Sequence, residues 1–241
     1  MPQRQPIVSP LITCEHAGSA VPRRWQHLFK GRHALLNSHR GYDRGSLEIA
    51  QALAATLSAP LLAGTFSRLL VDLNRSRHHP RHFSELTRDL PAAEKSQIDA
   101  EYWSPHWNRY RQTLERSPGQ VIHIACHSFV PVLEGKVRNV DIGLLYDPSR
   151  SRERAWCRSL ADRLRETLPE LRVRMNTPYR GTSNGMGQQH RAHFNENCLI
   201  TMELEINQAL CDREDWPELI DKLARATERA VYPRQRLSRS W

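Results

Sequence analysis

The chain has 241 residues, with 35 Lys and Arg against 26 Asp and Glu, which gives a formal net charge of +9. One hydrophobic core serves chains of up to roughly 250 residues, so we expect a single domain over residues 1–241. Hydrophobic residues make up 39% and charged residues 25% of the chain. This balance excludes a disordered or collagen-like chain and falls well short of a membrane protein's composition.

Apolar runs and helical periodicities alternate along the chain. Apolar residues at helical spacing predict a helix over Leu47–Leu57, with Ser46 as its N-cap and Pro60 beyond its end. Further helices are predicted at Ala92–Arg116, Ser151–Thr167 and Trp216–Val231. Strands are predicted at Leu11–Cys14, Leu61–Leu62, Leu69–Asp72, Val121–His127, Asp141–Tyr146, Leu171–Met175 and Leu199–Ile206, a long loop at Asn74–Pro91 and a mobile loop at Gly185–Gly187. Such alternation predicts an α/β domain with a parallel or mixed sheet covered on both faces.

Three features bear on the compartment. The longest uncharged stretch, Ile49–Ser67, contains polar residues and Pro60 near its middle, so it does not predict a membrane span. The N-terminal residues lack the apolar run and cleavage site of a secretory signal. Five cysteines without a CxxC pair favour small buried thiols over a disulfide framework or a cysteine-based zinc site. We therefore expect a cytoplasmic protein.

The positive charge is mainly arginine, since only four of the 35 basic residues are lysine. The planar guanidinium suits carboxylates and phosphates, so anionic ligands are favoured. A nucleic-acid-binding module would need a continuous basic stripe with interleaved aromatics. In the predicted helix Ser151–Thr167 the arginines alternate with acidic residues instead, as on an ordinary solvated face. The basic tail at residues 233–241 could bind an acidic partner, although a frayed terminus is the favoured interpretation.

Polar clusters lie at or near the ends of five predicted strands. In α/β sheets the ligand binds outside the carboxyl ends of strands, and charged groups there lose solvation unless they pair or bind something. Each cluster taken singly has an ordinary structural explanation, such as a loop cap or an Asp72–Arg75 ion pair. Together they favour a site. The clusters are Cys14–Gly18, Asp72–Arg75, Cys126–Phe129, Asn176–Gly181 and Glu203–Asn207.

The residue types in these clusters suggest metal-assisted hydrolysis. Two or three His, Asp or Glu side chains can hold Zn²⁺, and a separate carboxylate can accept a proton. The period of a strand puts Glu203 and Glu205 on one face, without choosing between them as the base. His123 and His127 also share a face but lie about 13 Å apart, so they are not expected to share a metal. The histidines at positions 78, 79 and 82 are read as a polar loop rather than a metal tract.

Other catalytic signatures are missing from the sequence. It contains no GxSxG elbow, no GxxxxGK[ST] phosphate loop, no GxGxxG and no HExxH. These absences weaken the serine-hydrolase, nucleotide-hydrolase and dinucleotide-binding alternatives.

Six ordered blocks between Leu11 and Gln208 resemble the N-formylglutamate amidohydrolase family: CEHAG, RGYDRG, SRLLVDLNRS, HSFVPVLEGKVRNVDIGLLYDP, NTPYRG and ELEINQ. That family is similar to the zinc carboxypeptidases and aspartoacylase-like deacylases. The resemblance implies a three-layer α/β/α sandwich with a twisted mixed sheet, of the phosphorylase/hydrolase-like kind.

The resemblance also implies site residues. His16 and His127 match two metal-binding histidines, and Asp43 is the chosen third ligand, with Glu15 as the competing choice. The carboxypeptidase HxxE spacing is absent, since Ser19 stands three residues after His16. Glu205 matches the general-base position best and Glu203 is the alternative. The implied substrate contacts are Arg68, Asn74, Arg75 and Arg180.

The implied activity is hydrolysis of an N-formyl or other N-acyl acidic amino acid, with N-formyl-L-glutamate first. The cofactor would be a divalent metal, with zinc first, and the partner an anionic small molecule. The alternatives are a deacylase or carboxypeptidase-like hydrolase with another substrate, a nucleic-acid-binding protein, and an inactive relative that only binds a ligand. The sequence predicts no oligomeric state.

Overall fold

The computed structural model describes residues 7–233, so the prediction of a frayed tail falls outside the described residues except at Pro233. Its strands are β1 (Val8–Cys14), β2 (Leu61–Ala63), β3 (Gln120–Phe129), β4 (Val132–Leu133), β5 (Lys136–Val137), β6 (Ile142–Leu145), β7 (Val173–Met175) and β8 (Leu199–Asn207). Its α-helices are α1 (His33–Leu36), α2 (Ser46–Leu57), α3 (Ala92–Ile98), α4 (Ser104–Arg116), α5 (Ser151–Thr167), α6 (Met186–Arg191) and α7 (Trp216–Val231). Single 3₁₀ segments occupy Arg23–Phe29 and Gln208–Asp212, and a π-helical turn occupies Asp99–Trp103.

Six strands form one mixed sheet in the order β2-β1-β3-β8-β6-β7. The first four run parallel, and β6 pairs antiparallel with β8 while β7 follows β6 in parallel. Helices cover both faces, which confirms the predicted three-layer α/β architecture. The carboxyl ends of β1, β3 and β8 consequently meet at one edge of the sheet, where the site lies.

The two faces of the sheet differ in polarity. Side chains at alternate positions of β3 and β8 point to opposite faces. On one face the strands are apolar from Ile122 to Cys126 and from Ile200 to Ile206, and these residues pack with α2, α5 and α7 in the main hydrophobic cluster. On the other face Val121 and Leu199 pack beside α4, but His123, His127 and Glu205 follow towards the carboxyl ends. This second face therefore changes from core to polar site along the strands.

The helix predictions hold well and some loop predictions fail. The helices at 46–57, 151–167 and 216–231 are confirmed. The strand predicted at Leu69–Asp72 is wrong, because these residues form turns whose side chains pack in a separate cluster under the long loops. The predicted helix Ala92–Arg116 contains the π-helical turn. The mobile loop at Gly185–Gly187 is also wrong, because Met186 and Gly187 are buried in the first turn of α6.

Two smaller predictions also fail. The N-cap of α2 is Gly45 rather than Ser46, whose hydroxyl donates to the carbonyl of Asp43. Gly45 has φ 81°, and a Cβ there would meet the sulfur of Cys211 at 2.5 Å, so both conformation and space favour glycine. The cysteines are not all buried, since Cys198 is exposed and Cys211 is half-buried. None of the helices between residues 7 and 233 combines the length and apolar character that a membrane span requires.

Candidate active site

Three buried side chains converge at the carboxyl edge of the sheet. His16 follows β1, His127 lies near the end of β3, and Asp43 comes from the loop before α2, where its backbone N–H donates to the carbonyl of His16. Oδ2 of Asp43 lies 3.2 Å from Nδ1 of His16 and 3.0 Å from Nδ1 of His127. One ligand atom from each residue lies within 4.8 Å of the others. Among residues 7–233 this is the one group of three or more His, Cys, Asp or Glu with metal-ligand spacing.

The far ring nitrogen of each histidine lies beside a second carboxylate. Nε2 of His16 donates to Oδ1 of Asp72 at 2.7 Å, and Nε2 of His127 lies 3.0 Å from Oε2 of Glu15. A carboxylate on the outer nitrogen orients a metal-binding imidazole and raises its basicity. Glu15, the competing ligand in the sequence analysis, is therefore placed behind His127 and outside the lining of the cavity.

Arg68 neutralises the acidic side of this cluster. Its guanidinium donates to Oδ2 of Asp72 at 2.8 Å and lies 3.5 Å from Oδ1 of Asp43. Burial opposes ionisation of both carboxyls, but for Asp72 the charge of Arg68, together with His16 and Arg75, outweighs burial and holds the pKa well below its ordinary value. For Asp43 the charge of His16 is the main opposing cause, and its pKa is also lowered. The sequence prediction named Arg68 as a substrate contact, whereas the structure engages it with two carboxylates of the protein.

His127 lies between two carboxylates. Burial alone would lower the pKa of its imidazole, but Asp43 and Glu15 raise the pKa well above its ordinary value. The two carboxylates therefore favour the protonated form of this imidazole. A metal must displace such a proton before it binds the ring nitrogen, so this position already stabilises positive charge.

Glu205 stands beside His127 in the register of β3 and β8. Its Oε2 is buried and has no hydrogen-bond partner among the described residues. Burial raises the pKa of the Glu205 carboxyl to about 8. The imidazolium of His127 opposes this shift, and the Asp43 carboxylate adds to it. An unpartnered carboxyl with a pKa near neutrality has the properties of a catalytic acid or base.

Glu203, the alternative base, is held differently. Its Oε1 accepts a hydrogen bond from Nδ2 of Asn74 at 3.2 Å. Asn74 is itself fixed, because its Oδ1 accepts from the backbone N–H of Met186 at 2.9 Å. A Cβ at Gly185 would meet Glu203 at 2.7 Å and Asn74 at 3.0 Å, so this glycine allows the close approach of α6. The two glutamates thus share a strand face but only Glu205 has a free buried oxygen.

A cavity of about 260 Å³ opens beside this cluster. It is lined by every site residue that the sequence predicted: His16, Asp43, Arg68, Asn74, Arg75, His127, Arg180, Glu203 and Glu205. The lining also includes residues that sequence reasoning missed, among them His39, Arg81, Tyr179 and Asn184. His39, Arg81 and Asn184 stand on loops away from the predicted strand ends, so no periodicity signals them. Tyr179 belongs to the predicted cluster Asn176–Gly181 but was not singled out as a site residue.

Arg75 and Arg180 contribute positive charge to the cavity. Nη1 of Arg75 donates to the carbonyl oxygens of Asn74 and Asn184, while the buried Nε of Arg75 has no partner among residues 7–233. Arg180 is exposed at the cavity lining, where Arg81 also lies. None of these three arginines forms an ion pair with a carboxylate of the described chain, unlike Arg68.

Two other predicted features have structural partners instead. Asp72 pairs with His16 and Arg68 rather than with Arg75. His123 lies in the interior, where its ring nitrogens bond the hydroxyls of Thr13 and Tyr110. Neither His123 nor the tract around His82 joins the metal-like cluster.

A comparison with known protein families assigns the chain to one of them. A model of the N-formylglutamate amidohydrolase family matches residues 8–211. The chain belongs to the N-formylglutamate amidohydrolase family. The matched range includes every residue of the cavity described above. No similar protein is found among those with curated functions.

Solved structures resemble this family member to different degrees. A gene product of Agrobacterium tumefaciens is 27% identical, with a TM-score of 0.74 over 92% of this chain and 88% of that one. The CwlD amidase of Clostridioides difficile is 10% identical, with a TM-score of 0.47 over 92% of this chain and 96% of that one. The succinylglutamate desuccinylase of Chromobacterium violaceum is 14% identical, with a TM-score of 0.43 over 94% of this chain and 61% of that one.

The donor set of this amidohydrolase fits a divalent cation. Two imidazoles and one carboxylate are the usual protein ligands of a catalytic zinc ion, which keeps a further position for substrate or water. Both histidines have the outer carboxylate that such ligands require. The free buried oxygen of Glu205 lies at the same edge. The residues present therefore suit a metal with an open position.

Proposed function

We propose that the protein is a metal-dependent amidohydrolase that cleaves the amide of an N-formyl or other N-acyl acidic amino acid, with N-formyl-L-glutamate as the preferred substrate. The observation that carries this proposal is the convergence of His16, Asp43 and His127 beside the unpartnered oxygen of Glu205. Its products would be formate and L-glutamate.

The three convergent residues would hold the metal through imidazole nitrogens and a carboxylate oxygen. When bound, a divalent ion such as Zn²⁺ would polarise the scissile carbonyl and favour ionisation of the attacking water. Asp72 and Glu15 would keep the two imidazoles in the required tautomer and orientation. Arg68 would compensate the charge of Asp43 and Asp72 when the site is empty of substrate.

Glu205 would transfer the protons. In the first step its carboxylate accepts a proton from water as the water oxygen bonds to the formyl carbon. In the second step the carboxylic acid returns that proton to the departing nitrogen, and the C–N bond breaks. With a pKa of about 8 the carboxylic acid predominates near neutral pH and a smaller share is carboxylate, so both forms are available to a group that alternates between base and acid.

Arg75 and Arg180 would bind the substrate's carboxylates. A dicarboxylate substrate needs two anion sites, and a guanidinium offers forked hydrogen bonds to a carboxylate. Arg75 has an unpartnered buried Nε at the cavity, and its orientation is fixed by two backbone carbonyls. Arg180 and Arg81 provide further unpaired positive charge at the same cavity. This surplus favours a doubly charged over a neutral amino-acid portion.

A substrate panel tests the proposal. The zinc-loaded protein would be assayed for amine release from N-formyl-L-glutamate, N-acetyl-L-glutamate, N-formyl-L-glutamine and N-formyl-L-leucine. We expect the highest kcat/KM for N-formyl-L-glutamate and a loss of about 10–100-fold for the neutral glutamine analogue, since hydrogen bonds to a charged group are lost. No turnover of any member would contradict the proposal. Equal turnover of the leucine compound would contradict the acidic preference.

A further inference from the structure

Two tryptophans outside the cavity lining bond to the loop that carries two of the polar side chains lining the cavity, Asn74 and Arg75. Nε1 of Trp107, in α4, donates to the carbonyl of Leu73 at 2.8 Å. Nε1 of Trp103, at the end of the π-helical turn, donates to the carbonyl of Arg75 at 2.9 Å. Both indoles stack with ring centroids 4.5 Å apart and an interplanar angle of 25°. They form one rigid support behind the loop.

The loop Asp72–Arg75 has no strand neighbour to hold its backbone. It forms turns, so the carbonyls of Leu73 and Arg75 lack the ladder partners that a strand would supply. The two indole N–H groups donate hydrogen bonds to these carbonyls instead, since the indole nitrogen acts only as a hydrogen-bond donor. An unpartnered buried carbonyl costs roughly 1–3 kcal/mol, so loss of either N–H should change the loop conformation.

The two supported carbonyls flank Asn74. On its far side Asn74 donates to Glu203 and accepts from Met186, and its backbone N–H donates to Oδ1 of Asp72. The peptide planes at Leu73 and Arg75 therefore set the directions of the Asp72, Asn74 and Arg75 side chains. A π-helical turn of the kind that precedes α4 occurs frequently at functional sites.

We propose that Trp103 and Trp107 are positioning residues that hold the Asp72–Arg75 loop in its working conformation. The expected changes in kcat and KM rest on the proposed function. The expected change in the loop conformation does not. Trp103 supports the residue that would bind the substrate carboxylate, so its loss should act on KM. Trp107 supports the peptide between Asp72 and Asn74, beside the metal-like cluster, so its loss should act on kcat.

The test uses the variants Trp103→Phe and Trp107→Phe in the full-length protein, since phenylalanine keeps an aromatic ring but lacks the N–H. We expect hydrogen–deuterium exchange of the peptide covering residues 72–76 to accelerate about tenfold in each variant. We expect Trp103→Phe to raise KM about tenfold with kcat nearly unchanged, and Trp107→Phe to lower kcat about tenfold. A peptide from β8 with unchanged exchange shows that each variant is folded.

The matched control is Trp156→Phe. Trp156 lies on α5 and is buried in the main core, and its Nε1 has no partner among the described residues, so phenylalanine removes no hydrogen bond there. We expect wild-type exchange at residues 72–76 and wild-type kinetics. Wild-type exchange at this peptide in both test variants would overturn the inference whatever the activity, and so would unchanged kcat and KM in both. An inactive wild-type protein would contradict the proposed function alone, and the exchange data would still decide the positioning role.

Discussion

The same face of β3 and β8 carries two polar clusters, one of neutral groups and one of charged groups. The inner cluster is formed by Thr13, Tyr110, His123 and Thr201, and the strand-end cluster by His16, Asp43, His127 and Glu205. In the inner cluster neutral groups satisfy each other: Nε2 of His123 lies 2.8 Å from the hydroxyl of Thr13. In the strand-end cluster charges face one another, and one carboxyl oxygen has no partner.

The pKa values of His123 and His127 show why one cluster is neutral and the other charged. Burial lowers the pKa of His123 to about 3, so this imidazole is neutral. His127, four residues further along, is equally buried, yet its pKa is raised well above the ordinary value because Asp43 and Glu15 adjoin it. Strand face and residue type are identical. The carboxylates of Glu15, directly after β1, and Asp43, on the loop before α2, therefore decide which histidine belongs to the core and which to the site.

Replacing each histidine gives the largest expected contrast. His127→Gln removes a proposed ligand, so we expect metal affinity to fall by more than the about 10–100-fold that loss of an outer-shell partner costs, with activity falling in parallel. His123→Gln should reduce the free energy of unfolding by about 1–3 kcal/mol and keep the metal, because it disturbs neutral hydrogen bonds only. Metal content by mass spectrometry and thermal unfolding measure both. Equal metal loss in the two variants would remove the distinction between the clusters.

The two glutamates on β8 sharpen the assignment of the base. Glu205→Gln should lower kcat about 10²–10⁴-fold with the metal retained, because the free carboxylate that would accept the proton is lost. Glu203→Gln is the matched control, since its amide oxygen can still accept from Asn74, and we expect its kcat within about tenfold of wild type. Steady-state kinetics on N-formyl-L-glutamate separate the two. The reverse order of effects would make Glu203 the base.

Substitution of Arg75 tests how the substrate is bound next to the strand-end cluster. Arg75→Lys keeps the charge but removes the fork, so we expect kcat/KM for N-formyl-L-glutamate to fall about 10–100-fold. Arg225→Lys is the control, because Arg225 pairs with Asp221 on the exposed surface of α7. Nearly full kcat/KM in the Arg75 variant would rule out forked recognition at this position.

The pH dependence of stability concerns the inner cluster. Histidine in the unfolded chain has a pKa near 6.5, whereas that of folded His123 is about 3. Between these values the unfolded state binds a proton that the folded state does not, so acidification lowers stability by about 1.4 kcal/mol per pH unit through this group. Above pH 6.5 the full contribution of neutral His123 to the free energy of unfolding is present. Urea unfolding of wild type and His123→Gln between pH 7 and pH 4 should show the shallower slope in the variant, and equal slopes would contradict a neutral buried His123.

Much of the scaffold is predictable from sequence because its periodic segments are long. The helices at 151–167 and 216–231 are predicted with their observed ends, since apolar residues recur regularly there. The turn at Leu69–Asp72 is missed because four buried residues in a row look like a strand, although a satellite core of loop residues buries them. The short helix α6 is missed because SNGMGQQ has a turn-like composition, while burial of Met186 and Gly187 decides its structure.

The predicted strand ends indicate where the cavity lies, whereas Asp43, on the loop before α2, is assigned only through the family resemblance. His16, His127 and Glu205 follow from the ends of β1, β3 and β8, and all three line one cavity. The engagement of Arg68 by two carboxylates has no sequence signal, since it depends on how the loop before α2 approaches the loop of Asp72. The support by Trp103 and Trp107 is equally invisible, because their partners are backbone carbonyls.

The central claim is that the strand-end cluster is a metal-dependent amidase site, and zinc reconstitution tests it most directly. Amine release from N-formyl-L-glutamate would be measured on protein stripped by a chelator, and again after stepwise addition of zinc. The account predicts negligible turnover by the stripped protein and full recovery at one equivalent of zinc per chain. Undiminished turnover by the stripped protein would contradict it.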